Sequence, residues 1–177
     1  ILIPDLGEDF QTERIERYLL VDGAKKFAGI VTNVNILIYL SAITQKDIQM
    51  AQKLQSSIVK GEKEIHTSRM EMAGISKMAK GVGGDFYDML EFKEKNWLLS
   101  LCDVSGKGVS AALVTGILGG VKSMYDFRVS VTEFIRRLNS YMYHSFQTEK
   151  YLTGVFVKVE EGTGFVKIYD MGHSLVY

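Results

Sequence analysis

The chain has 177 residues, 46% of them hydrophobic and 11% aromatic, enough apolar side chains for one domain to close a core on itself. Its 21 basic and 21 acidic side chains cancel, which excludes a long-range field pulling it toward nucleic acid or an anionic membrane, so binding must be argued from local sites. A lone cysteine, Cys102, excludes an internal disulfide, the lack of a Cys/His cluster excludes the usual structural zinc sites, and a reducing, cytoplasmic compartment is the simple reading.

The chain opens on Ile1-Leu2-Ile3-Pro4, with neither an initiator methionine nor a signal-peptide pattern, and reads as a piece of a longer protein, in which a membrane tether could lie elsewhere. Tyr18 to Val21, the turn Asp22-Gly23 and Phe27 to Val31 then read as strand, turn, strand, and Ile36 to Leu40 reads as a further strand. Phe27 to Gln45 carries no formal charge and approaches a membrane span in length, but Asn33 and Asn35 would bury two amides in lipid, and the β-branched residues around them suit a soluble sheet. From Gln45 the period changes. Ile48, Ala51, Leu54 and Ile58 mark one face of a helix ending before Gly61, a face that suits either a core or a homodimer seam over residues 45–60.

Glu71 to Ser76 reads as a short strand, and Trp97 to Cys102 as an apolar run of the kind buried on both faces of a sheet. Val109 to Met124 follows as a helix whose Gly116, Gly119 and Gly120 each give up about 1 kcal/mol of helix propensity, so something must approach it closely. Ser130 and Glu133 form a capping box ahead of a helix with Val131, Phe134, Ile135, Leu138 and Met142 on one face. Tyr151 to Val159 and Gly164 to Met171 flank Glu161-Gly162-Thr163 as a hairpin. The mixed order predicts an α+β fold or an α/β sandwich. Residues 1–44 form a strand-rich extension or part of one domain with residues 45–177.

Two segments can carry chemistry. Gly81-Val82-Gly83-Gly84-Asp85 sets three glycines before an acid, so the backbone can bend and bring Asp85 close to a ligand. Asp103 emerges at the end of the apolar run, inside Asp103-Val104-Ser105-Gly106-Lys107-Gly108. A carboxylate there is costly to desolvate, and a divalent cation supplies more counter-charge than one lysine. Singly, each has a plain alternative: Asp85 as a turn residue, Asp103 as the cap of the helix from Val109. As a pair they favour a metal. Ser105 to Gly108 fails the P-loop pattern, because Leu101 and Gly108 stand where it needs a glycine and a Ser/Thr. Cys102 reads as buried and inert, and among the histidines only His173 falls in a loop-like setting, with no nucleophile elbow nearby.

Gly83-Gly84-Asp85-Phe86-Tyr87-Asp88 and Asp103 to Leu113, in this order and spacing, resemble the SpoIIE-like branch of the metal-dependent (PPM) serine/threonine protein phosphatases; Thr153 and Gly172-His173 match two weaker motifs. The similarity runs from near Ile48 to the end. It implies a β-sandwich flanked by helices in αββα layers, with two Mn2+ or Mg2+ ions at one end. Asp85 and Asp103 are then the catalytic residues, as metal ligands rather than bases, and the Val104 carbonyl adds an oxygen. Gly84 and Asp88 stand next to these ligands, Asp88 either meeting a metal through water or orienting the loop. The implied reaction is hydrolysis of phosphoserine or phosphothreonine on a regulatory partner-switching protein of the anti-anti-sigma type, without a covalent enzyme intermediate. The family carries further acidic ligands after the Gly-His segment, where this chain stops at Tyr177. Hence two expectations: a C-terminally incomplete domain whose metals can be absent, or a degenerate module that binds or regulates without catalysis.

Overall fold

The computed structural model describes residues 17–59, 61–77, 81–93 and 95–174, and the chain divides between Asp47 and Ile48 into two compact units. In the first unit, β1 (Arg17–Val21) and β2 (Phe27–Thr32) pair antiparallel, with Asp22 Oδ1 accepting the amides of Ala24 and Lys26 in the turn. Helix α1 (Asn33–Ile58) starts here and takes in Ile36 to Leu40, which the β-branched composition had marked as a strand. The reason is a reciprocal cap. Thr32 Oγ1 accepts the Asn35 amide at 3.2 Å, and Asn35 Oδ1 accepts the Thr32 amide at 3.0 Å. Two of the orphan donors of a first turn are thereby satisfied, which outweighs a few tenths of a kcal/mol of β preference per residue. Among the described residues no helix is long and apolar enough to cross a membrane.

The second unit is α+β, as expected. β5 (Asp85–Lys93), β6 (Asn96–Val104), β7 (Leu152–Glu160) and β8 (Phe165–Met171) form one antiparallel sheet in sequence order, and β3 (Glu62–His66) pairs with β4 (Glu71–Ile75) in a two-stranded sheet. Side chains alternate between the two sheet faces. Phe86, Leu98, Cys102 and Phe156 point to α2 (Val109–Met124) and α3 (Val131–Phe146) and are almost wholly buried. There Phe134 meets Phe127 and Phe156 edge-on at centroid distances of 4.9 and 5.8 Å, a favoured aromatic geometry. On the opposite face the β3–β4 sheet lies against β5: the Tyr87 hydroxyl donates to Gly74 O at 3.1 Å, and a Cβ on Gly74 would lie 2.5 Å from the Tyr87 ring. On this same face Leu101, the register partner of Tyr87, is half exposed, so the run Trp97 to Cys102 is not buried on both faces as its composition suggested.

Helices α2 and α3 match their expected spans, and every apolar residue assigned to the α3 face is buried. The α3 box is half formed. Ser130 accepts the Glu133 amide, but the Glu133 carboxylate turns outward to Arg136 and Arg137 at 2.9 and 2.7 Å. On α2, Gly119 is the close approach: a Cβ there would collide with the Ile58 side chain, whereas Gly120 faces open space. The inward face of α1 differs from the expected stripe, since Leu54 is exposed and its neighbour Gln55 is buried.

Candidate metal centre

β5 opens on Asp85 and β6 ends on Asp103-Val104, and the register sets Asp85 opposite Asp103 and Asp103 opposite Thr153. All three lie at one end of the sheet on the face away from α2 and α3, because Phe86, Cys102 and Gly154 take the alternate positions. Asp85 is therefore the first residue of a strand rather than a turn residue, and Asp103 does not cap α2; that place belongs to Gly108, which offers no side-chain cap.

The backbone around the pair is tightly drawn. A Cβ on Gly84 would lie 2.5 Å from the Val104 carbonyl oxygen, so only glycine lets β5 begin this close to the end of β6, and the Val104 amide donates to Gly84 O at 3.2 Å. Beyond Val104 the chain turns through Gly106 and Gly108, both at positive φ, which glycine adopts without strain. Ser105 fixes this turn: its Oγ accepts the Tyr151 amide at 3.0 Å, and its carbonyl accepts from Lys150 Nζ at 3.1 Å. A cleft of about 800 Å³ runs over the two aspartates, bordered by Gly84, Lys107, Tyr151 and Thr153.

Burial, and next the Asp85 carboxylate, push the Asp103 carboxyl above its usual range, while His173 acts in the opposite sense. Such a pair is short of positive charge, and two carboxylates with backbone oxygens close by are the hard-oxygen donor set that Mg2+ or Mn2+ takes. The residues present fit one flank of such a centre. Among the described residues no third Asp, Glu, His or Cys joins them in a metal-holding group.

Asp88 is not part of this cluster. Three residues along β5, it projects to the opposite side, and its carboxylate accepts from Lys122 Nζ at 2.5 Å, with Lys63 Nζ at 4.0 Å. It ties β5 to α2 instead of meeting a metal through water. Cys102 is buried and its thiol is pushed up to about 12, chiefly by desolvation, as the inert reading required.

Three further residues belong to the neighbourhood. His173 Nδ1 lies 3.2 Å from Thr153 Oγ1, and its backbone amide donates to Asp170 Oδ1, so Asp170 holds the turn after β8. Lys150 Nζ is held at the Ser105 carbonyl, behind the Gly106 turn, by the meeting of the Ser105 and Tyr151 backbones. Gln55 reaches the glycines before Asp85: its Oε1 accepts the Gly83 amide at 3.1 Å and its Nε2 donates to Gly83 O at 2.6 Å. No motif announces Lys150 or Gln55. The one sign of Gln55 in the sequence is a polar residue at helical spacing from Ile48 and Ala51, next to the apolar Leu54.

Residues 93–177 match the family model described as Stage II sporulation protein E (SpoIIE). The chain is 19% identical over 135 residues to the phosphoserine phosphatase RsbP of Bacillus subtilis (strain 168), a match covering 73% of this chain and 33% of that protein, so the chain spans about a third of its relative's length. Among solved structures, the SiaA-PP2C domain of Pseudomonas aeruginosa superposes with a TM-score of 0.50 at 16% identity, covering 69% of this chain and 51% of that one. The structure of the RsbU and RsbW domains of Rv1364c from Mycobacterium tuberculosis gives 0.47 at 21% identity, covering 55% and 27%. The first of these likenesses bears on fold alone, and it agrees with the sheet-and-helix arrangement described above.

Proposed function

We propose that this chain, a SpoIIE-like domain of the PPM phosphatase type, hydrolyses phosphoserine or phosphothreonine on a regulatory protein of the partner-switching, anti-anti-sigma kind. The observation that carries the reading is the facing of Asp85 and Asp103 at the sheet end beneath an open cleft. Asp85 and Asp103 would hold divalent cations, two Mn2+ or Mg2+ ions by analogy with the family, with the Val104 carbonyl as a further oxygen. Such ions, when bound, supply Lewis acidity and a nucleophilic water at neutral pH. The chain's own part is to fix the two carboxylates on adjacent strands, to keep Gly84 bare so that the β5 and β6 backbones meet, and to set Lys107 on the border of the cleft where a phosphoryl group would enter. The test is Mn2+-dependent phosphate release from a phosphoserine-bearing protein by the intact protein and by Asp103→Ala. Loss of about a hundredfold or more in the variant is expected, and equal activity in both would sink the assignment.

A second reading, a module that keeps the fold but binds without catalysis, draws on the convergence of only two carboxylates among the described residues. Calorimetry with Mn2+ separates the two, since heat of binding lost on Asp85→Ala belongs to the enzyme alone. Dimerisation through residues 45–60 is a further part of the proposal. Met50 and Leu54 lie exposed on α1, at 66% and 64%, and Leu54→Glu should convert a dimer to a monomer in sedimentation.

A further inference from the structure

The buried amide of Gln55 joins three elements. It is only 3% exposed, and every polar atom it carries is used: Oε1 accepts from the Gly83 amide at 3.1 Å, while Nε2 donates to Gly83 O at 2.6 Å and to Thr115 Oγ1 at 2.7 Å. Thr115, wholly buried on α2, passes its own hydroxyl proton to Ala112 O at 2.8 Å. The network is closed, with no donor or acceptor of the amide idle, which is the condition under which a buried polar group specifies one geometry rather than costing stability. Gly83 lies two residues before Asp85, in a stretch where only Val82 carries a side chain and Gly81 adopts positive φ. Around the amide, Ile48 packs at Gly81 and Ile58 at Gly119, so the end of α1 spans the loop and α2 together.

From this closed network we infer that Gln55 is a positioning residue for the candidate metal centre: it holds the Gly83 peptide so that β5 begins with the Asp85 carboxylate facing Asp103. The amide acts through the backbone and touches neither carboxylate. A leucine or methionine would fill the same space and bury equally well, and an apolar residue is what helical periodicity leads one to expect at the inward position. A glutamine there is explained by what it binds. The inference rests on the metal-centre reading for its consequence, but its structural claim stands apart from catalysis.

The test uses the whole chain with three variants. Gln55→Met keeps the volume and removes all three hydrogen bonds. Gln55→Glu keeps an acceptor for the Gly83 amide and loses the two donations, and Thr115→Val preserves the Gly83 clamp should the first variant fold poorly. Amide hydrogen exchange over residues 81–85, measured without metal, should accelerate about tenfold in Gln55→Met, about the effect of losing one net hydrogen bond, and less in Gln55→Glu, with exchange in α3 and β7 unchanged. Mn2+ affinity by calorimetry should fall about tenfold or more in the same order. Unchanged exchange over 81–85, or acceleration spread evenly across the second unit, overturns the positioning role. If the unsubstituted chain binds no Mn2+, the exchange result still decides the role of Gln55, and it is the metal reading that fails.

Discussion

Asp85 and Asp103 stand directly opposite each other across β5 and β6, two acids on neighbouring strands at the end of one sheet. Like charges so placed oppose folding by about 0.2 to 1 kcal/mol. In a chelator, Asp85→Asn or Asp103→Asn should therefore raise the melting temperature slightly. In Mn2+ the order should reverse, because only the unsubstituted pair gains the stabilisation that a ligand confers on the folded state alone. Thermal melts of the three proteins with EDTA and with Mn2+ check both halves, and parallel curves under the two conditions would contradict the metal assignment.

Gly119 and Gly120 are neighbours on α2 with opposite expected responses to alanine. At Gly120 nothing lies within reach of an added methyl, so Gly120→Ala should stabilise by about 0.5 to 1 kcal/mol through helix propensity. At Gly119 the same propensity gain is offset by collision with Ile58, and a net loss of about 1 to 2 kcal/mol is expected. Ile58→Ala combined with Gly119→Ala should recover part of that loss, since the two side chains compete for one space. Urea denaturation of the single and double variants measures it.

Lys122 is buried to 1% exposure against Asp88, whose carboxylate remains about one-third exposed at 35%. Desolvation pulls the lysine below its usual 10.5, and Asp88 draws it part of the way back. A base with a lowered folded pKa binds more protons in the unfolded chain, so its contribution to stability rises with pH as the unfolded lysine approaches 10.5 and is smallest below the folded value. Lys122→Met should remove that rise, seen as a flatter dependence of the urea midpoint on alkaline pH below 10.5. Near neutrality the same variant should lose about 1 to 2 kcal/mol, less than for a fully buried pair, because water can still reach Asp88.

Periodicity identified α2, α3 and the β7–β8 hairpin because each has an uninterrupted apolar face or a flanking turn signal, and the glycines before Asp85 announced a close backbone approach that proved to be Gly84 against Val104. The pairing of Asp85 with Asp103 was a matter of register between strands, which follows from the β5–β6 hairpin once both strand ends are known. Asp88 was misplaced because alternation along β5 sends it to the other side of the sheet from Asp85, a distinction invisible while the segment was read as a loop. Gln55 was hidden for the reverse reason. Its partners lie 28 and 60 residues away, and helical spacing alone gives no sign that a polar side chain has a buried backbone to satisfy.

The start of α1 shows a local signal overriding composition, and it yields a prediction of its own. Val34, Ile36, Ile38 and Ile43 favour strands, yet Thr32 and Asn35 exchange hydrogen bonds across the first turn and the segment is helical. Thr32→Ala removes the acceptor for the Asn35 amide and should cost about 1 kcal/mol, whereas Thr32→Ser, which keeps the hydroxyl, should cost a few tenths at most. Because the cap acts on the first turn only, the loss should appear as faster amide exchange at residues 33–36 and not near Gln55, about six turns along the helix. Equal exchange in the alanine and serine variants would mean that the helix start is set by packing around the buried Ile36 and not by its cap.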